Sequence, residues 1–217
     1  MKLYYWLMGL LFPPKCVLCR KLLTDMETDL CGNCRIHSPE WENTKRKLQF
    51  LDSFAAVWYY EGNVRTSLLR YKFHGARSYS GSYGRILAMK LLREHPEGFD
   101  VLTWIPVSRL RKFRRGYDQV ELLARSVGRE LGMEPIPVLK KIRHNRRQSR
   151  IRDYSHRRAN VMGVYRVSDP EAVRNKRVLL LDDILTTGAT ASEAGRVLMT
   201  AGAKEVHCAA MAAARKH

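Results

Sequence analysis

Residues 177–201 read RVLLLDDILTTGATASEAGRVLMTA, and this stretch decides how the rest of the chain is interpreted. It opens with a short apolar run at 178–181, which is typical of a strand buried on both faces of a parallel sheet. Residues 191–201 carry apolar side chains at helical spacing, and Gly202 is a natural stop for a helix. The stretch therefore predicts a strand, a polar turn and a helix in succession.

Two carboxylates and a turn rich in hydroxyl groups connect that strand with that helix. Asp182 and Asp183 stand where the strand is expected to end. The turn consists of Thr186, Thr187, Gly188, Ala189 and Thr190. A helix N-terminus attracts anions, and adjacent carboxylates suit a diol or a hydrated metal ion, so this strand end predicts a phosphorylated-sugar site. The alternative is a solvated turn whose side chains only cap the helix.

The segment VLLLDDILTTGAT closely resembles the signature of type I phosphoribosyltransferases, which bind 5-phosphoribosyl pyrophosphate (PRPP). The resemblance implies that Asp182 and Asp183 contact the ribose hydroxyls and that residues 186–190 surround the 5-phosphate. It also implies that magnesium accompanies PRPP. The fold it implies is an α/β domain with a mostly parallel sheet flanked by helices.

The composition of the 217-residue chain restricts its class of partner. A hydrophobic content of 45% is enough for a core and argues against global disorder. The formal charge of +18 favours polyanionic partners such as nucleic acid, pyrophosphate groups or an anionic membrane surface. Charge alone does not choose among these partners, and a well-solvated basic surface is the alternative.

The apolar run at residues 3–12 is far shorter than the roughly 20 residues that span a bilayer. A signal peptide would need a small-residue cleavage site after this run, and none follows it. We therefore expect a short helix that docks on another surface, with a peripheral membrane contact as the alternative. We expect no transmembrane segment and a cytoplasmic protein.

Two CxxC pairs, Cys16 with Cys19 and Cys31 with Cys34, are separated by eleven residues. Two such pairs can complete a tetrahedron around zinc, whereas the alternatives are two disulfides or free thiols. The lack of a cleavable signal favours a reducing compartment and therefore metal. We predict a structural zinc module over residues 1–48 and a phosphoribosyltransferase-like domain over residues 49–217. Cys208 lies in an apolar run and is expected to be buried in a strand.

Apolar patterns predict the elements between the cysteine pairs and residue 177. Strands are expected within 50–60, 101–105 and 160–167, and helices within 63–71, 86–93 and 119–131, whereas residues 78–84 are expected to form a loop. A basic loop at 107–116, with four arginines and one lysine within 109–115, predicts a second anion site, although a solvated turn is the alternative. A longer basic segment, 140–158, has few apolar anchors, so we expect a mobile loop there.

Together these segments resemble the ComF family of competence-associated proteins over nearly the whole chain. The resemblance rests on both CxxC pairs, the ribose-phosphate stretch and the segments Tyr71-Lys72-Phe73-His74-Gly75, Ile105-Pro106-Val107, Arg115-Gly116-Tyr117-Asp118-Gln119, and Gln148 with Arg158 and Asn160. It implies that the loop after Val107 meets pyrophosphate, with Ser108 and Arg109 nearest, and that residues 140–158 close over the site. The family often has a second proline where Ser108 stands. It often has asparagine where Asp118 stands, so Asp118 adds a negative charge beside an expected anion site.

The resemblance implies a phosphoribosyltransferase-like protein that binds PRPP with magnesium and transfers phosphoribose to a nucleophile that the sequence does not identify. Charge grows on the departing pyrophosphate, and magnesium with the basic loop would stabilise it. The sequence contains no obvious general base. The alternative is a DNA-uptake factor that binds single-stranded DNA, acts with other competence proteins and has no transferase turnover. The charge of +18 favours this alternative, and the two functions can coexist.

Overall fold

A computed structural model of the chain describes residues 13–42, 47–143 and 162–215. The helix predicted at 3–12 lies outside the described residues. The same holds for most of the basic segment 140–158, including Gln148 and Arg158, and for Asn160. Within the described ranges, every helix is too short or too polar to cross a membrane.

A parallel sheet of four strands forms the centre of the fold. The strands of the structure are β1 (Ser53–Tyr59), β2 (Val101–Trp104), β3 (Leu139–Lys141), β4 (Tyr165–Val167), β5 (Arg177–Leu185) and β6 (Glu205–Ala213). The sheet has the order β1-β6-β5-β2, and each neighbouring pair is parallel. This confirms the predicted parallel α/β fold. β3 and β4 form a separate antiparallel hairpin.

Six helices are described in the structure. They are α1 (Gly32–His37), α2 (Gly62–Phe73), α3 (Tyr79–Glu94), α4 (Arg109–Arg115), α5 (Gln119–Leu131) and α6 (Ala189–Thr200). The bounds predicted for α5 are confirmed, and Gly132 ends this helix in the left-handed conformation with φ of 68°. α2 and α6 also occur where helices were predicted, with slightly different ends.

Two loop predictions are wrong, because both segments are helical. Residues 79–84 form the first turns of α3, although Gly81 and Gly84 are poor helix formers. Close packing against α5 requires glycine at this position of the helix, since a Cβ at Gly84 would lie 2.4 Å from the Cβ of Ser126. Residues 109–115 form α4, which Ser108 caps and Gly116 ends.

The sheet is buried on both faces, as the apolar run at 178–181 predicted. Leu179 and Leu181 belong to a core shared with α2, α3 and α5. Val178 and Leu180 belong to a second core shared with α6 and the β3–β4 hairpin. Successive side chains of a strand point to opposite faces, so β5 joins the two cores. Cys208 is buried in β6, as predicted.

The N-terminal segment packs directly on the sheet domain. Residues 16–18 are buried in the same core as α2 and α3. Residues 39–41 lie along the outer edge of β1, where Tyr59 N donates to Pro39 O at 2.7 Å and Trp41 N donates to Val57 O at 3.0 Å. The Trp41 ring packs on Phe54 with centroids 5.2 Å apart. The division of the chain at residue 48 stays a prediction.

Candidate functional site

β5 carries both carboxylates of the predicted site within its hydrogen-bonded length. The sequence placed the strand end at Asp182, but β5 continues to Leu185, which pairs with Ala213 of β6. The two acidic side chains therefore point to opposite faces of the sheet. Asp183 is buried beneath α2 and α5 with 4% exposure, and Asp182 is half-buried beside the β3–β4 hairpin.

Asp183 is held by side chains from two helices. Lys72 Nζ of α2 lies 2.7 Å from Asp183 Oδ1, and Gln119 Nε2 of α5 donates to Oδ2 at 2.7 Å. The hydroxyl of Tyr71 donates to the backbone oxygen of Gln119 at 2.6 Å. The carboxylate is thus fixed in orientation and its charge is compensated. Lys72 and Gln119 lie in the motifs that carry the family resemblance, but the sequence did not assign them to the site.

Asp182 lies in a different electrostatic environment. Its Oδ1 accepts from the backbone N of Asp183 at 2.8 Å. Burial, together with the negative charge of Asp183, raises the pKa of Asp182 to about 8, although Lys72 opposes this shift. The free protein therefore tends to keep this carboxyl protonated near neutral pH. A bound cation would favour the ionised form.

The turn after β5 requires glycine at one position. Gly188 has φ of 79° and ψ of 0°, and it starts α6 without a capping side chain. A Cβ at this position would lie 2.5 Å from Leu48 Cδ2. Thr187 Oγ1 accepts weakly from Ala189 N, at 3.4 Å. The turn therefore presents the N-terminus of α6 beside the two carboxylates, as an anion site requires.

A cavity of about 490 Å³ opens above this turn and the acidic pair. Of the predicted residues, it is lined by Asp182, Asp183, Thr186, Gly188, Ala189 and Thr190. Five cationic side chains also line it, namely Arg65, Lys72, Arg111, Arg115 and Lys141. With both carboxylates counted as ionised, the five cations leave an excess of three positive charges. The cavity therefore favours an anion with several charges.

The basic segment after β2 contributes to the cavity through one face of α4. Ser108 Oγ caps α4 by accepting from Arg111 N at 3.4 Å, and Arg109 is exposed. Neither Ser108 nor Arg109 is among the lining residues, whereas Arg111 and Arg115 are. These two arginines are four residues apart, so they share a helix face. Helical spacing places both side chains at the cavity. The sequence predicted a loop here and therefore did not single them out.

Asp118 stabilises the backbone near the cavity. Its carboxylate caps α5 by accepting from Val120 N at 2.9 Å and from Glu121 N at 3.2 Å. It also accepts from Val107 N at 3.0 Å, which ties the end of β2 to the start of α5. Burial raises the pKa of Asp118 even though these N–H groups act in the opposite direction. The negative charge of Asp118, noted in the sequence analysis, is thus engaged by three backbone N–H groups.

The β3–β4 hairpin supplies the wall of the cavity opposite α2. Lys141 pairs with Tyr165 across the hairpin, and the Lys141 Nζ lies 5.4 Å from the centre of the Tyr165 ring. Burial, together with the charge of Arg111, lowers the pKa of Lys141 to about 8, while Asp182 opposes this shift. Lys141 belongs to the segment 140–158, which the family resemblance places over the site, although it was not singled out. Sequence reasoning missed Tyr165, because it stands in no recognisable pattern.

The four predicted zinc ligands also converge. The Sγ atoms of Cys16, Cys19, Cys31 and Cys34 all lie within 4.8 Å of one another, and all four cysteines are free thiols. Zinc–sulfur bonds of about 2.3 Å in a tetrahedron put sulfurs roughly 3.8 Å apart, so the residues fit zinc. Burial alone would raise the pKa of Cys16, but hydrogen bonds from the backbone N–H groups of Cys19, Cys31 and Leu18 and from the Cys19 side chain together lower it to about 7.

Comparison with known proteins agrees with this arrangement. The family model of the phosphoribosyl transferase domain matches residues 87–217. Competence protein F of Haemophilus influenzae is 25% identical over 81% of this chain and 75% of its own length. Competence protein ComFC of Streptococcus pneumoniae is 29% identical over 83% and 75%, and DNA utilization protein YhgH of Escherichia coli O157:H7 is 24% identical over 81% and 74%. The chain therefore belongs to the ComF family of proteins with a phosphoribosyl transferase domain.

Proposed function

We propose that this protein binds PRPP with magnesium in the cavity above β5 and transfers its phosphoribosyl group to a nucleophile. The observation that carries the proposal is the acidic pair beside the uncapped α6 turn, facing a cavity with three excess positive charges. A diol, a phosphate and a pyrophosphate each find a matching group in this one cavity. The family membership supports the same ligand class.

The geometry suggests a role for each group in the cavity. Asp183, oriented by Lys72 and Gln119, accepts hydrogen bonds from the ribose hydroxyls, and the α6 turn receives the 5-phosphate. Arg111 and Arg115 of α4 face the pyrophosphate and stabilise the charge that grows on it. The carboxylate of Asp182 would offer an oxygen ligand to magnesium, and the bound ion would supply additional neutralisation of the leaving group.

Calorimetric titration with PRPP and magnesium tests this proposal. Asp182→Asn combined with Asp183→Asn removes two charge-assisted interactions of roughly 1.5–3 kcal/mol each, so affinity should fall about a hundredfold or more. The matched control is Asp100→Asn, whose carboxylate accepts from Arg177 N at 2.8 Å at the opposite end of β5. This control should bind PRPP as the wild type does. Equal affinity of the wild type and the double variant would refute the assignment.

A second function, binding of single-stranded DNA, is favoured by the outer face of α4. Phe113 is 86% exposed, and the exposed cations Arg109 and Arg114 lie on the same helix. An exposed aromatic ring between cations is typical of surfaces that stack bases and contact phosphates. Curated relatives are named as competence and DNA utilization proteins, which supports this candidate. The basic segment 140–158 offers further candidate DNA contacts at Arg146, Arg147 and Arg150, which lie outside the described residues.

Anisotropy titrations of a labelled oligothymidylate at several salt concentrations test DNA binding. Arg109→Ala with Arg114→Ala should weaken binding and reduce the salt slope by about 0.7 for each lost phosphate contact. Phe113→Ala should weaken binding at an unchanged slope, because stacking releases no counterions. The charge-matched control removes two exposed arginines elsewhere, Arg35 and Arg93.

Loss of binding on replacing Arg146, Arg147 and Arg150, with none on replacing the α4 residues, would instead locate the DNA on the basic segment at 140–158. Unchanged affinity in both sets would contradict a DNA function for the surplus charge. The excess positive charge would then be a solvated surface.

A further inference from the structure

We propose that α2 positions Asp183 according to the state of the cysteine cluster, so that zinc and PRPP stabilise each other's binding. This inference rests on the proposed function, because it concerns the same carboxylate. The two sites contact one short helix, and the contacts on each side are polar and specific. Arg70, Lys72 and Ser67 are then positioning residues that act on the ligand through Asp183.

One side of α2 is fixed to the first cysteine turn. Ser67 Oγ donates to the backbone oxygen of Val17, and Arg70 Nη2 donates to the backbone oxygen of Leu18 at 2.5 Å. Val17 and Leu18 are the two residues between Cys16 and Cys19. Both carbonyl groups therefore belong to the turn whose shape zinc would fix.

The other side of α2 is fixed to the sugar-binding carboxylate. Lys72 pairs with Asp183 at 2.7 Å, and Tyr71 donates to the backbone oxygen of Gln119, whose side chain also donates to Asp183. The hydroxyl of Tyr117 donates to the backbone oxygen of Tyr71. Residues 70 and 72 are about 200° apart around a helix, so α2 is clamped from opposite directions.

The contacts of α2 are buried, so a displacement of this helix would alter both the cysteine turn and the position of Asp183. Ser67, Leu68 and Tyr71 are fully buried, and Ser67 Oγ also lies 2.6 Å from Tyr83 Oη. Among the described residues, the buried Nε of Arg70 has no hydrogen-bond partner, so this guanidinium depends on the cysteine turn. If the turn opens on loss of zinc, Ser67 and Arg70 lose their acceptors, and the last turn of α2 is no longer held against Asp183.

A matched pair of variants separates this link from simple attachment of the cysteine module. Arg70→Gln removes one of the two α2 contacts with the cysteine turn, whereas Arg85→Gln removes a contact between Asp29 of the same module and α3. Arg85 Nε lies 2.9 Å from Asp29 Oδ2, and no described contact joins α3 to Asp183. Attachment of the module alone would therefore make the two variants behave alike.

The experiment begins with protein purified without added metal, which should contain about one zinc per chain. Zinc release to a chromophoric chelator is then timed with and without PRPP and magnesium. PRPP should slow zinc release from the wild type about fivefold or more. Because binding linkage is reciprocal, the factor by which PRPP tightens equilibrium zinc binding should equal the factor by which zinc tightens PRPP binding. Arg70→Gln should clearly reduce the effect, and Arg85→Gln should keep it. If Arg70→Gln does not retain zinc, the milder Ser67→Ala replaces it.

Hydrogen exchange supplies a readout that needs no PRPP. Removing zinc should speed exchange in residues 67–72 and at the end of β5, while the amino end of β5 stays protected. If these rates do not change and PRPP does not slow zinc release, the link is refuted. If PRPP does not bind but zinc removal still speeds exchange near Asp183, the proposed function and the mutual stabilisation with PRPP fail, whereas the positioning of Asp183 by the cysteine cluster through α2 stands.

Discussion

The two ends of the parallel sheet both carry charged side chains, but the two clusters are built differently. At the amino end, Arg177 pairs with Glu97 at 2.6 Å and with Glu205 at 2.9 Å. His207 Nε2 lies 3.0 Å from Glu205, and His207 Nδ1 lies 2.9 Å from the hydroxyl of Ser53. Each of these groups has a partner within the cluster, so the cluster is electrostatically closed.

The carboxyl end of the same sheet is electrostatically open. Asp182 and Asp183 are adjacent, and burial together with the charge of Asp183 raises the pKa of Asp182. Lys72 pairs with Asp183, and four further cationic side chains line the cavity around them. Like charges held together around a space are costly unless a ligand compensates them. The comparison indicates that unbalanced charge around a cavity marks binding, whereas a closed network stabilises the fold.

The largest effect that sharpens this comparison concerns α4. Arg111→Ala removes a cation that faces the cavity, and one charge-assisted contact is worth roughly 1.5–3 kcal/mol, so PRPP affinity should fall about tenfold or more. Arg109→Ala removes a cation outside the lining and should change affinity little. Calorimetry on both variants decides between this geometry and the sequence-based expectation for Arg109. A larger loss with Arg109→Ala would favour that expectation.

A smaller effect concerns stability and pH. The folded state raises the pKa of Asp182 from 3.8 to about 8, so the folded protein binds the proton more tightly and its stability falls as pH rises from about 4 to 8. Asp182→Asn keeps an acceptor for Asp183 N and removes this penalty. Since one pKa unit equals about 1.4 kcal/mol and solvent screens the half-exposed group, we expect a gain of about 1–2 kcal/mol at pH 8.5.

Urea unfolding of the wild type and of Asp182→Asn at pH 5 and pH 8.5 measures this effect. The gain should be clearly larger at the higher pH. Parallel pH profiles for the two proteins would show that the acidic pair stores no electrostatic free energy.

The smallest effect tests the closed cluster at the amino end. Ser53→Ala removes a hydroxyl bonded to buried His207, so the free energy of unfolding should fall by about 1 kcal/mol. PRPP affinity should not change, because Ser53 lies at the opposite end of the sheet from the cavity. The expected change in stability is opposite in sign to that of Asp182→Asn. A loss of PRPP binding in Ser53→Ala would contradict the distinction between the two ends.

The sequence predicted those parts of the fold that depend on local pattern. α5 has a regular apolar stripe, a capping Asp118 and a stop at Gly132, and both of its ends were predicted correctly. The apolar run at 178–181 similarly identified a doubly buried strand. The first turns of α3 were missed, because Gly84 is helical only through its contact with Ser126.

The candidate site was predictable where its residues are contiguous. Residues 182–190 form one strand end and turn, so their proximity follows from the chain itself. The partners of Asp183 do not follow in this way, since Gln119 is 64 positions away from it. Lys141 reaches the cavity from a three-residue strand. Such a strand is too short to show a recognisable alternation of apolar and polar residues in the sequence.

The position of residues 39–41 along β1 has a consequence for the isolated sheet domain. These residues occupy hydrogen-bonding groups on an outer strand of the sheet, at Val57 and Tyr59. A bare strand edge is a template for pairing with other chains. Proteolytic removal of the segment before residue 43 would therefore expose β1 to intermolecular strand addition. The cysteine-bearing segment thus also guards the molecule against self-association, whatever ligand the cavity holds.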